Sequence, residues 1–112
     1  MIVRLDPEDL GDVALVPQAI IQRSVEFFAR ECGLRFDRDK DDLDDFSCVY
    51  FDVNGEKAGL IHYDGEADDH VTVFLKPCVT RKCFDKTVNQ LLKHYHLKAD
   101  AVSWKEPSLS AD

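Results

Sequence analysis

Phe46-Ser47-Cys48-Val49-Tyr50-Phe51-Asp52-Val53-Asn54-Gly55-Glu56-Lys57-Ala58-Gly59-Leu60-Ile61-His62-Tyr63 is the stretch that decides the fold. Two runs rich in β-branched and aromatic residues, Phe46 to Val53 and Lys57 to Tyr63, are separated by Asn54-Gly55, the pair that accepts the positive φ angles of a tight hairpin turn. A third such run, His70 to Lys76, follows the loop sequence Asp64-Gly65-Glu66-Ala67-Asp68-Asp69, so the segment predicts an antiparallel three-stranded meander. In the first run Val49, Phe51 and Val53 alternate with Phe46, Cys48 and Tyr50, which leaves both sides apolar and predicts a central strand or one covered twice. Gly59, inside the second run, marks a bulge or a close approach of its neighbours, and a bulge is the commoner explanation.

On the C-terminal side Pro77 stops the third strand and Thr80 can cap a helix reaching about Tyr95, in which Phe84, Val88, Leu91, Leu92 and Tyr95 form an apolar stripe. That helix should lie across the sheet. Ala101 to Trp104 adds a short last strand, and Glu106-Pro107-Ser108 onward reads as a polar tail. On the N-terminal side Ile2 to Leu5 is a β-prone piece ended by Asp6-Pro7, and Glu8 to Leu15 is ambiguous. Pro17 fits the first position of a helix running to Arg30 or Cys32, because Ile21, Val25, Phe28 and Cys32 fall at i, i+4, i+7 and i+11 and Gly33 can cap its end. Asp37 to Asp45 has no apolar stripe and crowded like charges, which predicts a solvated loop. The expected fold is α+β: a mostly antiparallel sheet with two helices packed on it, in the order β-α-β-β-β-α-β, as one domain over residues 1–112.

The length of 112 residues allows one core, and 45% hydrophobic residues supply enough apolar area to build it. No apolar run reaches the 18 or more residues of a membrane helix, and the start lacks the basic and apolar regions of a signal peptide, so a cytoplasmic protein is expected. Cys32, Cys48, Cys78 and Cys83 follow no disulfide framework and are expected to be free, mostly buried thiols. The net charge of −8 is unevenly placed: residues 37–69 hold 12 acids against 3 bases, a field that attracts basic partners and repels nucleic-acid phosphates.

Motifs for catalysis are lacking. Cys78, Cys83, His94 and His96 have poor spacing for zinc, since His94 and His96 would point to different sides of one helix. Cys83 with His62 or His70 could form a nucleophile–base pair only if the fold brought them together. There is no glycine-rich phosphate loop, and the carboxylates fall mainly in loops where solvent screens them. No catalytic residue, metal or cofactor is therefore expected.

What remains is an acidic belt: Asp37, Asp39, Asp41, Asp42, Asp44 and Asp45 in one segment, with Glu56, Asp64, Glu66, Asp68 and Asp69 at the hairpin ends. As a bland surface it would serve solubility; as a functional one it would dock a basic protein, with Phe46 and Tyr63 beside it as anchors. In size, charge and charge placement the whole chain resembles the small acidic bacterial immunity proteins that neutralise contact-dependent or secreted toxins. That resemblance implies a non-enzymatic inhibitor of immunity or antitoxin type, monomeric when free, whose acids pair with Lys and Arg of a basic toxin or nuclease. Separately, the order of elements from Phe46 to Trp104 resembles the central part of the GNAT acetyltransferase fold. Where that family carries its glycine-containing coenzyme A phosphate loop, this chain has Cys78-Val79-Thr80-Arg81-Lys82-Cys83-Phe84, which implies a GNAT-like scaffold without acetyl transfer. A structural or adaptor subunit, such as a phage protein, is the third expectation.

Overall fold

A computed structural model describes residues 2–77 and 80–105. Among these described residues seven strands form one sheet: β1 Ile2–Leu5, β2 Val16–Ile21, β3 Asp37–Lys40, β4 Asp45–Val53, β5 Glu56–Tyr63, β6 Val71–Leu75 and β7 Val102–Lys105. The described helices, α1 Val25–Cys32 and α2 Arg81–His94, complete an α+β architecture, with short 3₁₀ turns at Pro7–Leu10 and Ala99–Ala101. The strand order is β1-β4-β5-β6-β2-β7, all pairs antiparallel, and β3 joins the edge of β4 that β1 also occupies.

The predicted meander is the centre of this sheet. Asn54 and Gly55 take φ angles of 52° and 94°, the left-handed values that a two-residue hairpin needs and that match the twist of the strands it joins. Val49, Phe51 and Val53 of β4 face one side with Ala58 and Leu60 of β5, and Phe28 of α1 and Phe84, Val88, Leu91 and Leu92 of α2 close over them as the main core. Phe46, Cys48 and Ile61 form a second buried cluster on the opposite face, joined by Tyr50, Tyr63 and Phe74, and among the described residues no helix contributes to it. Strand β4 is thus largely buried on both faces, as its two apolar sides predict. Gly59 sits in unbroken register between Tyr50 and Phe74, so it is not a bulge. A Cβ there would lie 3.0 Å from the Tyr50 ring; the glycine makes room for that ring to lie across β5.

Two segments differ from the sequence expectation. The helix predicted from Pro17 begins only at Val25: Val16–Ile21 is an interior strand, paired with β6 on one side and β7 on the other. Ala19 and the β-branched pair Ile20-Ile21 suit a pleated surface, and the register shifts between Pro17 and Ala19, where the missing proline N–H would otherwise break the ladder. The helix starts where Ser24 Oγ accepts the Phe27 N–H at 2.9 Å, and it ends at Gly33 in the left-handed region as expected. The Asp37–Asp45 segment is also not a plain loop: Asp37–Lys40 pairs with Asp45–Cys48 as an exposed edge strand, and only the tip turns outward. The order of elements along the chain therefore differs from the predicted one by two added strands. α2 matches closely, with Thr80 Oγ1 accepting the Cys83 N–H at 3.2 Å. The predicted tail from Glu106 and the position of Cys78 lie outside the described residues. Among the described residues no helix is long and apolar enough to cross a membrane.

Candidate functional site

The β3–β4 turn and the β5–β6 connection lie side by side at one end of the sheet because antiparallel pairing of β4 with β5 puts Phe46 opposite Tyr63. Local hydrogen bonds tie the two together. Asp41 caps its own turn, accepting from the N–H groups of Leu43 (2.8 Å) and Asp44 (3.1 Å), and its other oxygen accepts the Tyr63 hydroxyl at 2.8 Å. Asp44 accepts the Gly65 N–H at 2.7 Å, and the Asp64 N–H donates to the Asp45 carbonyl at 3.0 Å. Arg38 closes the corner with a two-pronged pair to Asp64, 2.8 and 2.6 Å, and a 2.8 Å bond to Ser47 Oγ. Of the predicted belt, Asp41, Asp42, Asp44, Asp45, Asp64, Glu66, Asp68 and Asp69 come from these two neighbouring segments, Asp37 and Asp39 stand on β3 leading into the turn, and Glu56 stands at the other end of β5.

Part of this charge is balanced internally. Asp37 pairs with Arg4 at 3.3 Å and Asp64 with Arg38. Among the described residues no Lys or Arg forms an ion pair with Asp39, Asp42, Asp44 or Asp45, so the turn keeps its negative field. The carboxyls whose titration is displaced move downward: Asp41 through the Leu43 N–H above all, Asp64 through the Arg38 bond, and Asp69 through the His70 bond. Groups held ionised in this way present charge; proton donation at neutral pH needs the opposite shift.

A carboxyl depressed in the folded state contributes stability above its unfolded pKa of about 3.9, and that contribution disappears as pH falls through the folded value. Carboxyl-detected NMR titration should therefore place the Asp41, Asp64 and Asp69 midpoints below the ordinary value, with amide protection at Leu43 and Asp44 declining over the same acid range. An Asp41 midpoint at or above the ordinary value would mean that the turn is not held as described.

The second cluster provides the neighbouring surface. Phe46, proposed as an anchor, is 8% exposed and forms the floor on which Tyr63 packs, with ring centroids 5.1 Å apart. Tyr63 is the accessible ring of the pair. It borders a groove of about 330 Å³ lined also by Pro17, Ile20, Glu66, Phe74 and Trp104, with Trp104 38% exposed on β7 opposite Ile20. Sequence reasoning did not single out Phe74 or Trp104; the available signal was a lone tryptophan between Ser103 and Lys105 in a four-residue strand. A wider, open concavity of about 670 Å³ lies elsewhere, between Ile2 and α2, and Lys86 and Lys93 give it the opposite charge.

Other candidate groups are not brought together. Cys83 lies beside Glu56 and Thr87, six residues of strand from His62, about 20 Å along β5. Burial pushes the Cys83, Cys48 and Cys32 thiols up, away from the thiolate a nucleophile requires. Cys48 is buried, whereas Cys32 and Cys83 are half-buried. His94 and Cys83 are eleven residues apart on α2, about 16 Å, so they cannot share an ion. Comparison with known protein families, with characterised proteins and with solved structures found no significant match.

Proposed function

We propose that the protein is a non-enzymatic binding partner of the immunity or antitoxin type, which neutralises a basic protein by docking the acidic end of its sheet and the adjoining aromatic groove. The observation that carries this reading is the continuity of the two features: Tyr63 and Glu66 belong both to the acidic end and to the groove that holds Phe74 and Trp104. Charge beside a desolvatable aromatic patch is the division of labour of a protein interface, in which the rim steers encounter and a few central rings resist dissociation. A solubility surface needs the acids alone.

Affinity capture from the source organism followed by binding kinetics tests the proposal. A basic partner should associate about 10-fold or more slowly when Asp39, Asp42, Asp44 and Asp45 are changed to Asn, and raised salt should slow the wild type similarly. Trp104→Ala should instead speed dissociation, with a loss of about 2 kcal/mol or more if the ring is a central anchor. Association indifferent to salt and to the four substitutions would remove the acidic end from the interface, and unchanged dissociation in the Trp104 variant would remove the groove.

A further inference from the structure

The connection between β5 and β6 also gathers two imidazoles and a carboxylate at the inner side of the acidic end. One ligand atom each from His62, Glu66 and His70 lies within 4.8 Å of the other two. His62 is 6% exposed, yet neither of its ring nitrogens makes a hydrogen bond. Asp68 Oδ1 approaches His62 Nε2 to 3.3 Å without the alignment of a hydrogen bond. A buried ring whose nitrogens make no hydrogen bond is costly, so the position suits a group that bonds to them.

His70 is prepared in a complementary way. Its Nδ1 lies 2.8 Å from Asp69 Oδ1, an acceptor that suits the tautomer with hydrogen on Nδ1 and leaves Nε2 as the ligand atom. Nε2 is 3.6 Å from Glu66 Oε2. A carboxylate behind an imidazole is what orients metal-binding histidines and raises their basicity. The two histidine rings meet edge to face with centroids 5.4 Å apart, so both belong to one small space. Ligands of a tetrahedral zinc ion at about 2.0–2.1 Å stand roughly 3.4 Å from one another, within a short side-chain rotation of the present spacing.

We infer that His62, Glu66 and His70 form a binding site for a divalent transition-metal ion of the zinc class, with Asp68 or solvent as the fourth ligand and Asp69 positioning His70. Two imidazoles and a carboxylate select such an ion over calcium or magnesium, which prefer all-oxygen shells. The inference does not rest on the docking proposal, although Glu66 belongs to both places. An ion here would pin the 64–69 connection to the ends of β5 and β6 and cancel part of the local negative charge.

Calorimetry of the full chain with zinc(II), after removal of metals by chelator, is the test, with cobalt(II) absorption as a reporter of the ligand set. Wild type should bind one ion; Glu66→Gln at an exposed position and His70→Gln at a half-buried one should weaken binding about 100-fold or more, and Asp69→Asn about 10–100-fold. A His94→Gln/His96→Gln double variant should bind like wild type. The inference is overturned by absence of binding up to millimolar ion, by wild-type affinity in the Glu66 and His70 variants with folded circular dichroism spectra, or by an intense thiolate-to-cobalt band.

Discussion

Phe28→Ala is expected to destabilise the protein by about 3–5 kcal/mol, the range for removing a fully buried aromatic side chain. Phe28 is the only buried residue of α1, and it sits at the centre of a ring cluster. It meets Phe27 and Tyr95 edge to face at 5.6 and 5.5 Å and Phe36 at 6.2 Å, while Tyr95 continues the chain to Phe51 of β4. A helix of eight residues has too few turns to persist alone, so α1 depends chiefly on Phe28, with Val25, Phe27 and Cys32 packed partly against the core. With total stability of about 5–15 kcal/mol for a domain of this kind, the variant should unfold at a much lower urea concentration. Glu26→Ala on the exposed face should change little. A Phe28→Ala cost below about 1 kcal/mol would show that the cavity collapses without loss and that α1 is held by other contacts.

Gly59→Val is expected to cost about 1–3 kcal/mol even though valine favours strands, because the new Cβ would meet the Tyr50 ring at 3.0 and 3.1 Å in the middle of the sheet. The ring, not backbone strain, is the obstacle. Adding Tyr50→Ala should therefore offset part of the loss: the double variant should be more stable than the sum of the single effects by about 1 kcal/mol, a coupling that contacting residues show and distant ones do not. Strict additivity in a denaturation cycle would refute the packing account of this glycine.

These two positions illustrate different degrees of legibility. Phe28 was readable as a core residue from its i, i+7 relation to Ile21, although Ile21 itself belongs to a strand and the shared periodicity was partly coincidental. Gly59 was readable only as a special position, since whether a strand glycine marks a bulge or makes room for a neighbour depends on the residue across the ladder. The candidate docking surface divides in the same manner. Its acids were legible as a charge run, and Tyr63 as a neighbouring ring, but burial of Phe46 and exposure of Trp104 were not. Those depend on which face the helices cover.

The sequence by itself determined the meander of β4, β5 and β6, the Asn54-Gly55 hairpin and α2 with its Thr80 cap, because each is specified by residues within a few positions of one another. Only the tertiary structure decided that Val16–Ile21 is a strand, that Asp37–Lys40 is an edge, and that the groove beside Tyr63 lies open. It also brought His62 and His70 together across a loop that reads from the chain as acidic surface alone. The physical reason is separation: β2 becomes a strand through hydrogen bonds to Val71–Leu75 and Val102–Lys105, partners some fifty and more residues away, and local periodicity carries no record of such pairing.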